Sequence, residues 1–274
     1  MLKRTFSGII FVSILISAIL LDSLTFYILF FFCMLVAIYE FQKLSKHKNY
    51  YLYALGIISY LFSEKSILIL KNHFDIAYDI KSEFASSLIY VLIFMYFIFV
   101  LYKKTDKSPF TELGSFILTY AYTITPFIIM IRIPFCNVAQ TYHATTFLGV
   151  IILVWSTDTF AYLTGKNIGK HKLFERVSPN KTIEGFIGGM IFTLVTAWVL
   201  SIYFTQLSTT KWIGLSLVVS IFGSIGDLVE SLFKRSANIK DSGSLIPGHG
   251  GILDRFDSLI FASPFVYFYL NLIS

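Results

Sequence analysis

Nine apolar runs, each of a length that can cross a bilayer, divide this sequence from end to end. They occupy residues 5–21, 24–41, 51–70, 86–102, 112–133, 146–164, 183–204, 212–233 and 256–272. A membrane span needs roughly 20 predominantly apolar residues. Lipid offers no partner to backbone N–H and C=O groups, so each run is expected to close its own hydrogen bonds as a helix. The third run is the weakest, because Glu64 and Lys65 interrupt it; it reads as two short segments, or as one tilted helix with those side chains snorkelling. Composition agrees. Only 14% of residues are charged and 56% are hydrophobic, with a mean hydropathy of +0.73, whereas soluble domains carry about 25% charged residues. The 29 phenylalanines exceed what a water-facing protein can bury. The expected fold class is all-α: a polytopic integral membrane bundle of about nine transmembrane helices, one domain over residues 1–274.

Loop charge gives this parse a direction. With a cytoplasmic N-terminus and nine crossings, most of the 22 lysines and arginines fall in cytoplasmic loops, including Lys43, Lys103, Lys166, Lys170, Lys181, Lys234 and Arg255. The positive-inside rule predicts that bias, and a bacterial-type cytoplasmic membrane is the setting it implies. The first run resembles a signal peptide, but no small-x-small cleavage site follows it, so it reads as an uncleaved helix. Cys33 and Cys136 are too few and too distant for a disulfide framework or a cysteine metal site. The net charge of +6 follows from the loops and calls for no nucleic acid; a homodimer is compatible with all of this.

Polar residues are spread unevenly. Residues 1–145 join their helices by short, generic loops, while residues 146–274 carry two long loops rich in Gly, Pro, Lys and carboxylates. Asp158 and Asp227 lie inside apolar runs, where an ionisable group costs a few kcal/mol (about 2.5–3.5 on insertion scales) and usually lines a functional cavity. The plainer reading of each is a carboxylate bonded to a neighbouring helix. Around Asp227, however, Ser224, Ser231 and Lys234 recur at helical spacing, so a polar stripe joins a carboxylate to a lysine. Gly223 and Gly226 would let another helix approach.

Two loops supply the rest. In SLIPGHGGILDRFD, Pro247, Gly248, Gly250 and Gly251 forbid a continuous helix, and such turns can aim backbone N–H groups at phosphate. Asp254, Arg255 and Asp257 follow, and carboxylate oxygens suit Mg²⁺. His249 reads as metal ligand, phosphate donor or plain turn residue, and it lacks the companions of a zinc site. In SPNKTIEGFIGG, Ser178 and Pro179 can start a turn, Lys181 and Thr182 meet a helix N-terminus that favours anions, and Gly185 and Gly189 form a small-residue packing face. The spacing is not that of a Walker loop. Carboxylates for Mg²⁺ beside Lys and Arg for phosphate are the equipment of phosphoryl or nucleotidyl transfer. An ion-coupled transporter using Asp158 and Asp227 is the alternative from another class, but the one-sided basic cluster disfavours it.

The run SLFKRSANIKDSGSLIPGHGGILDRFD, with Ser231, Lys234-Arg235, Lys240-Asp241, Pro247, His249-Gly250-Gly251 and Asp254-Arg255-Phe256-Asp257, resembles the motif of the CDP-diacylglycerol synthases, or phosphatidate cytidylyltransferases. The upstream segments DTFAYLTGKNIGKHKL and SPNKTIEGFIGG resemble the same family, apart from Ile183 where many members have Trp. The resemblance implies CTP and phosphatidate as substrates, membrane lipid as surroundings, and a Mg²⁺ site of two cations. It supports Asp227 and Asp254 as principal metal ligands and as catalytic residues with Lys234 and Arg255; Asp158 and Asp257 are secondary metal candidates. Lys181, Lys234, Arg235 and Arg255 would meet the phosphates, with Ser178, His249, Gly250 and Gly251 shaping the substrate site. The rival CDP-alcohol phosphotransferase pattern does not occur.

Overall fold

The computed structural model describes residues 2–74, 82–102, 108–243 and 250–273. Eleven α-helices account for nearly all of it: α1 (Leu2–Leu21), α2 (Ser23–Ser45), α3 (Tyr51–Leu61), α4 (Glu64–Phe74), α5 (Ser82–Tyr102), α6 (Pro109–Thr119), α7 (Thr125–Met130), α8 (Ala144–Ile168), α9 (Ile183–Tyr203), α10 (Thr209–Ser236) and α11 (Leu253–Ile273). A π-helical turn, Tyr120–Ile124, links α6 to α7. Six helical stretches among the described residues are long and apolar enough to cross a membrane, and α3 with α4 makes a seventh if that pair, bent by 63°, is one span. The bend falls beside Glu64 and Lys65, where the apolar run is broken. The apolar helices Phe6–Leu21 and Ser87–Leu101 are shorter, so among the described residues length and composition alone do not reach nine spans. The molecule is an integral membrane protein.

One departure from an all-α fold lies between α8 and α9, where β1 (Lys172–Phe174) pairs antiparallel with β2 (Ser178–Thr182). The sequence reads this basic segment as a loop with a turn at Ser178 and Pro179. It folds back instead because α9 supplies partners at its start: Glu184 accepts the backbone N–H groups of Lys170 and His171, and its Oε1 lies 2.6 Å from His171 Nδ1. Thr182 caps the same helix by accepting from the Gly185 N–H.

Helices α8 to α11 pack against one another, and small residues set how closely. A Cβ on Gly185 would stand 2.7 Å from the Ala161 carbonyl oxygen, and one on Gly189 2.9 Å from that of Thr157, so α9 lies directly on α8. Hydroxyls tie α8 to both neighbours: Thr157 Oγ1 lies 2.9 Å from Thr193 Oγ1 of α9 and 3.4 Å from Ser220 Oγ of α10. Such bonds between membrane helices average about 0.6 kcal/mol each, so close packing contributes more than they do. The N-terminal helices join through aromatic rings. Phe30 of α2 packs edge-on against Phe147 of α8 and Phe256 of α11, at centroid separations of 5.3 and 5.7 Å. Phenylalanine therefore serves both the core and the lipid-facing surface, where Phe6, Phe94 and Phe268 are exposed.

Candidate active site

Glycine packing brings the acidic residues together. A Cβ on Gly226 would stand 2.7 Å from the Asp257 carbonyl oxygen and 2.6 Å from Phe261 Cβ, so α10 and α11 meet at the turn that carries Asp227. Carboxylate oxygens of Asp227, Glu230 and Asp257 consequently lie within 4.8 Å of one another. Glu230 is buried, and its Oε1 has no hydrogen-bond partner among the described residues. Three carboxylates this close, one oxygen unsatisfied and cut off from water, are a donor set that fits a hard divalent cation such as Mg²⁺.

Two lysines from different elements face this cluster. Lys181, at the end of the hairpin, forms an ion pair with Asp227. Lys234, two turns along α10, pairs with Glu230 one turn back and, at 2.8 Å, with Asp254 Oδ1. The other oxygen of Asp254 accepts from Ser242 N, Ser242 Oγ and Gly251 N, each at 2.8 Å. Asp254 is thus engaged by four donors, three on Oδ2 and one on Oδ1, and the Lys234 ammonium stands beside the oxygen that keeps a spare lone pair. Ser231 Oγ lies 3.4 Å from Asp227 Oδ1, which places Ser231 on the same stripe.

Beside the acids opens a cleft of about 490 Å³ between α8, the hairpin, α9 and α10. Asp158, Ser178, Lys181, Ser224 and Asp227 line it, with Tyr162, Asn180 and Phe186 farther along. Its volume falls within the range of about 300–1,000 Å³ usual for small-molecule sites. Gly250 has φ +82°, a left-handed conformation that suits glycine, and a Cβ there would run into Asp254. Arg255 is exposed in the first turn of α11, and Arg235 is exposed on α10 with Nη1 3.4 Å from the Ile239 carbonyl oxygen. His249, Pro247 and Gly248 lie outside the described residues.

Two acids were not singled out in the sequence. Glu230 stands one turn from both Asp227 and Lys234, and that helical spacing was its only signal. Glu40, in α2, is buried against the glycine-rich loop from the other half of the chain.

Comparison with known proteins shows the family. A sequence model of the cytidylyltransferase family matches residues 2–273. The phosphatidate cytidylyltransferase of Bacillus subtilis (strain 168) is 37% identical over 276 residues, covering 100% of this chain and 99% of that protein. That of Staphylococcus aureus (strain COL) is 55% identical over 119 residues, 43% of this chain and 45% of that protein. That of Staphylococcus saprophyticus is 41% identical over 177 residues, covering 63% and 65%. The family model and the Bacillus relative span the N-terminal helices as well as the acid-bearing ones, and the chain belongs to the cytidylyltransferase family.

Proposed function

We propose that the protein transfers the cytidylyl group of CTP to phosphatidate, giving CDP-diacylglycerol and pyrophosphate. One observation carries the reading: a cleft of nucleotide size runs alongside a three-carboxylate cluster that two lysines flank. The full-length match to a phosphatidate cytidylyltransferase supports it. Nothing in the family match favours a transporter.

In this reaction an oxygen of the lipid phosphate forms a bond to the α-phosphorus of CTP, and the bond from that phosphorus to the bridging oxygen of pyrophosphate breaks. Phosphate monoesters are largely ionised near pH 7, with a second pKa of about 6, so the nucleophile needs no strong base. Charge is the obstacle, since two anions must meet and a third departs. Asp227, Glu230 and Asp257 would hold one Mg²⁺, with Asp158 near it and Asp254 joining a second cation after releasing Lys234. Bound there, Mg²⁺ would offset charge on the phosphates. Lys181 faces the cleft and would bind phosphate oxygens; Lys234 would follow when Asp254 lets it go. Tyr162, Phe186 and Asn180 offer ring faces and an amide for the base. Basic loops at the shared end of α8, α9, α10 and α11 argue for a cleft open to the cytoplasm, and hence for a cytoplasmic N-terminus and nine crossings in a bacterial-type inner membrane.

The test is pyrophosphate release by the purified protein given phosphatidate, Mg²⁺ and each of CTP, ATP, GTP and UTP in turn. Release is expected with CTP alone, requiring lipid and metal, and lost in Asp227→Asn. Folded protein that releases none with CTP would refute the proposal.

A further inference from the structure

Glu40 belongs to α2, far in sequence from the acids and lysines of the site, yet its carboxylate is bonded at the end of the glycine-rich loop. Oε1 accepts the N–H of Ile252 at 3.0 Å, and Oε2 that of Leu253 at 2.9 Å. These N–H groups open α11, and the first turn of a helix leaves such donors without partners inside the helix. Ser242 Oγ lies 3.3 Å from Oε2, so the residues that enter and leave the loop converge on one side chain. Gly243 and Gly251 both pack so closely against the carboxylate that a Cβ on either would collide with it. Glu40 itself is 2% exposed.

The same N-terminus carries the reacting end of the site. Asp254 and Asp257 sit in the first turns of α11, and Asp254 shares Ser242 with Glu40. A shift of α11 along its axis would move Asp257 away from Asp227 and Glu230. It would also pull Asp254 from Lys234. Packing holds α11 sideways, through Phe30, Phe256 and Gly226, but the charged bonds to Ile252 and Leu253 fix its start.

We propose that Glu40 is a positioning residue for cytidylyl transfer: from the N-terminal half of the chain it clamps both ends of the glycine-rich loop and sets the start of α11, and so the spacing of the acids that hold the metal. The proposal rests on the transferase reading. Groups that orient metal ligands typically alter affinity or activity about 10- to 100-fold when removed, without touching substrate.

The experiment compares wild type with Glu40→Gln, Glu40→Asp and Glu40→Ala as full-length proteins in lipid nanodiscs. Pyrophosphate release is measured against Mg²⁺ and CTP concentration, and rates are normalised to the folded fraction. Glu40→Gln keeps the shape but presents an NH₂ to one of the two backbone donors. It is expected to lower kcat about tenfold and raise the Mg²⁺ concentration for half-maximal rate, with KM for CTP changed less than threefold. Glu40→Ala should lose more, and Glu40→Asp, which keeps the charge, should recover part of the rate. Wild-type kcat and Mg²⁺ dependence in folded Glu40→Gln would overturn the proposal, even if its Tm fell, because a purely structural glutamate predicts that pattern. A wild-type protein active without any divalent cation would instead refute the metal reading, and kcat alone would then decide the role of Glu40.

Discussion

Three carboxylates within 4.8 Å of one another cost the fold something that a cation should return. At that separation and an effective dielectric of about 20, two unit charges repel by about 3.5 kcal/mol. Asp257 faces two such partners, so Asp257→Asn would remove about 7 kcal/mol of repulsion were nothing else present. The ammonium groups of Lys181 and Lys234 offset part of it by pairing with Asp227 and Glu230, and replacing buried ionic groups by neutral ones is often stabilising by about 1–4 kcal/mol. A gain of about 1–2 kcal/mol is expected, because asparagine keeps the oxygen that accepts the Ser258 N–H at 2.7 Å. For domains of 150–250 residues each kcal/mol moves Tm by about 2–4 °C, giving a rise of about 2–8 °C in EDTA. Wild type should gain about 2.7 kcal/mol from Mg²⁺ at a hundredfold excess over its Kd, while the variant should gain much less.

The assay is thermal unfolding of both proteins in the same detergent, with EDTA and then with increasing Mg²⁺, followed by pyrophosphate release at low temperature. Higher Tm in EDTA, a blunted response to Mg²⁺ and slow turnover should occur together in Asp257→Asn. A variant with a Tm at or below wild type in EDTA, or an equal Mg²⁺ response in both, would refute the argument that these acids are held together for a cation.

Lys181→Met removes the ammonium that faces both Asp227 and the cleft; loss of one positioned donor costs about 10²- to 10³-fold, so kcat/KM for CTP should fall by at least a hundredfold in steady-state kinetics. The two glycines of α10 should behave oppositely. Gly226→Ala would press a methyl group on the Asp257 carbonyl and cost about 1–3 kcal/mol, whereas Gly223→Ala, whose nearest neighbour would be Ser258 Cβ at 3.6 Å, should be neutral or stabilising by up to about 1 kcal/mol. Paired Tm measurements distinguish them.

These contrasts show what local pattern carries and what it does not. Apolar length located the helices, and the weak third run is the bent pair α3 and α4, because charge at Glu64 and Lys65 left too little apolar surface for one straight span. Small-residue spacing marked Gly185, Gly189 and Gly226 as close approaches, since a missing Cβ is written in the sequence. It could not separate Gly226 from Gly223, which needs the register of α11. The hairpin escaped notice because residues 172–182 show no strand-like alternation, and its base is held by the Glu184 side chain, which accepts from Lys170 and His171 just before β1. Glu230 was hidden by a stripe drawn through Ser231 instead. Glu40 shared with Asp158 and Asp227 the signal of a carboxylate in an apolar run, but its partners lie 212 and 213 residues away, and no local spacing encodes them.

The distribution of charge in the site follows from what its substrates require. Carboxylates set deep among apolar helices need compensation, and in this chain the compensating groups are lysines on separate elements: Lys181 on the hairpin and Lys234 on α10. A nucleotide arriving with its cation brings both signs of charge. In the proposed reaction Lys181 would leave Asp227 for a phosphate oxygen and Asp227 would hold the cation, so neither group would be stranded unpaired in a medium where that would cost several kcal/mol. Such an exchange would also explain the anchors. Glu184 holds the base of the hairpin and Glu40 the start of α11, so the lysine and aspartate side chains can change partners while the backbone beneath them stays in place. A rigid frame with exchangeable ion pairs would let one set of carboxylates serve the empty and the loaded enzyme alike.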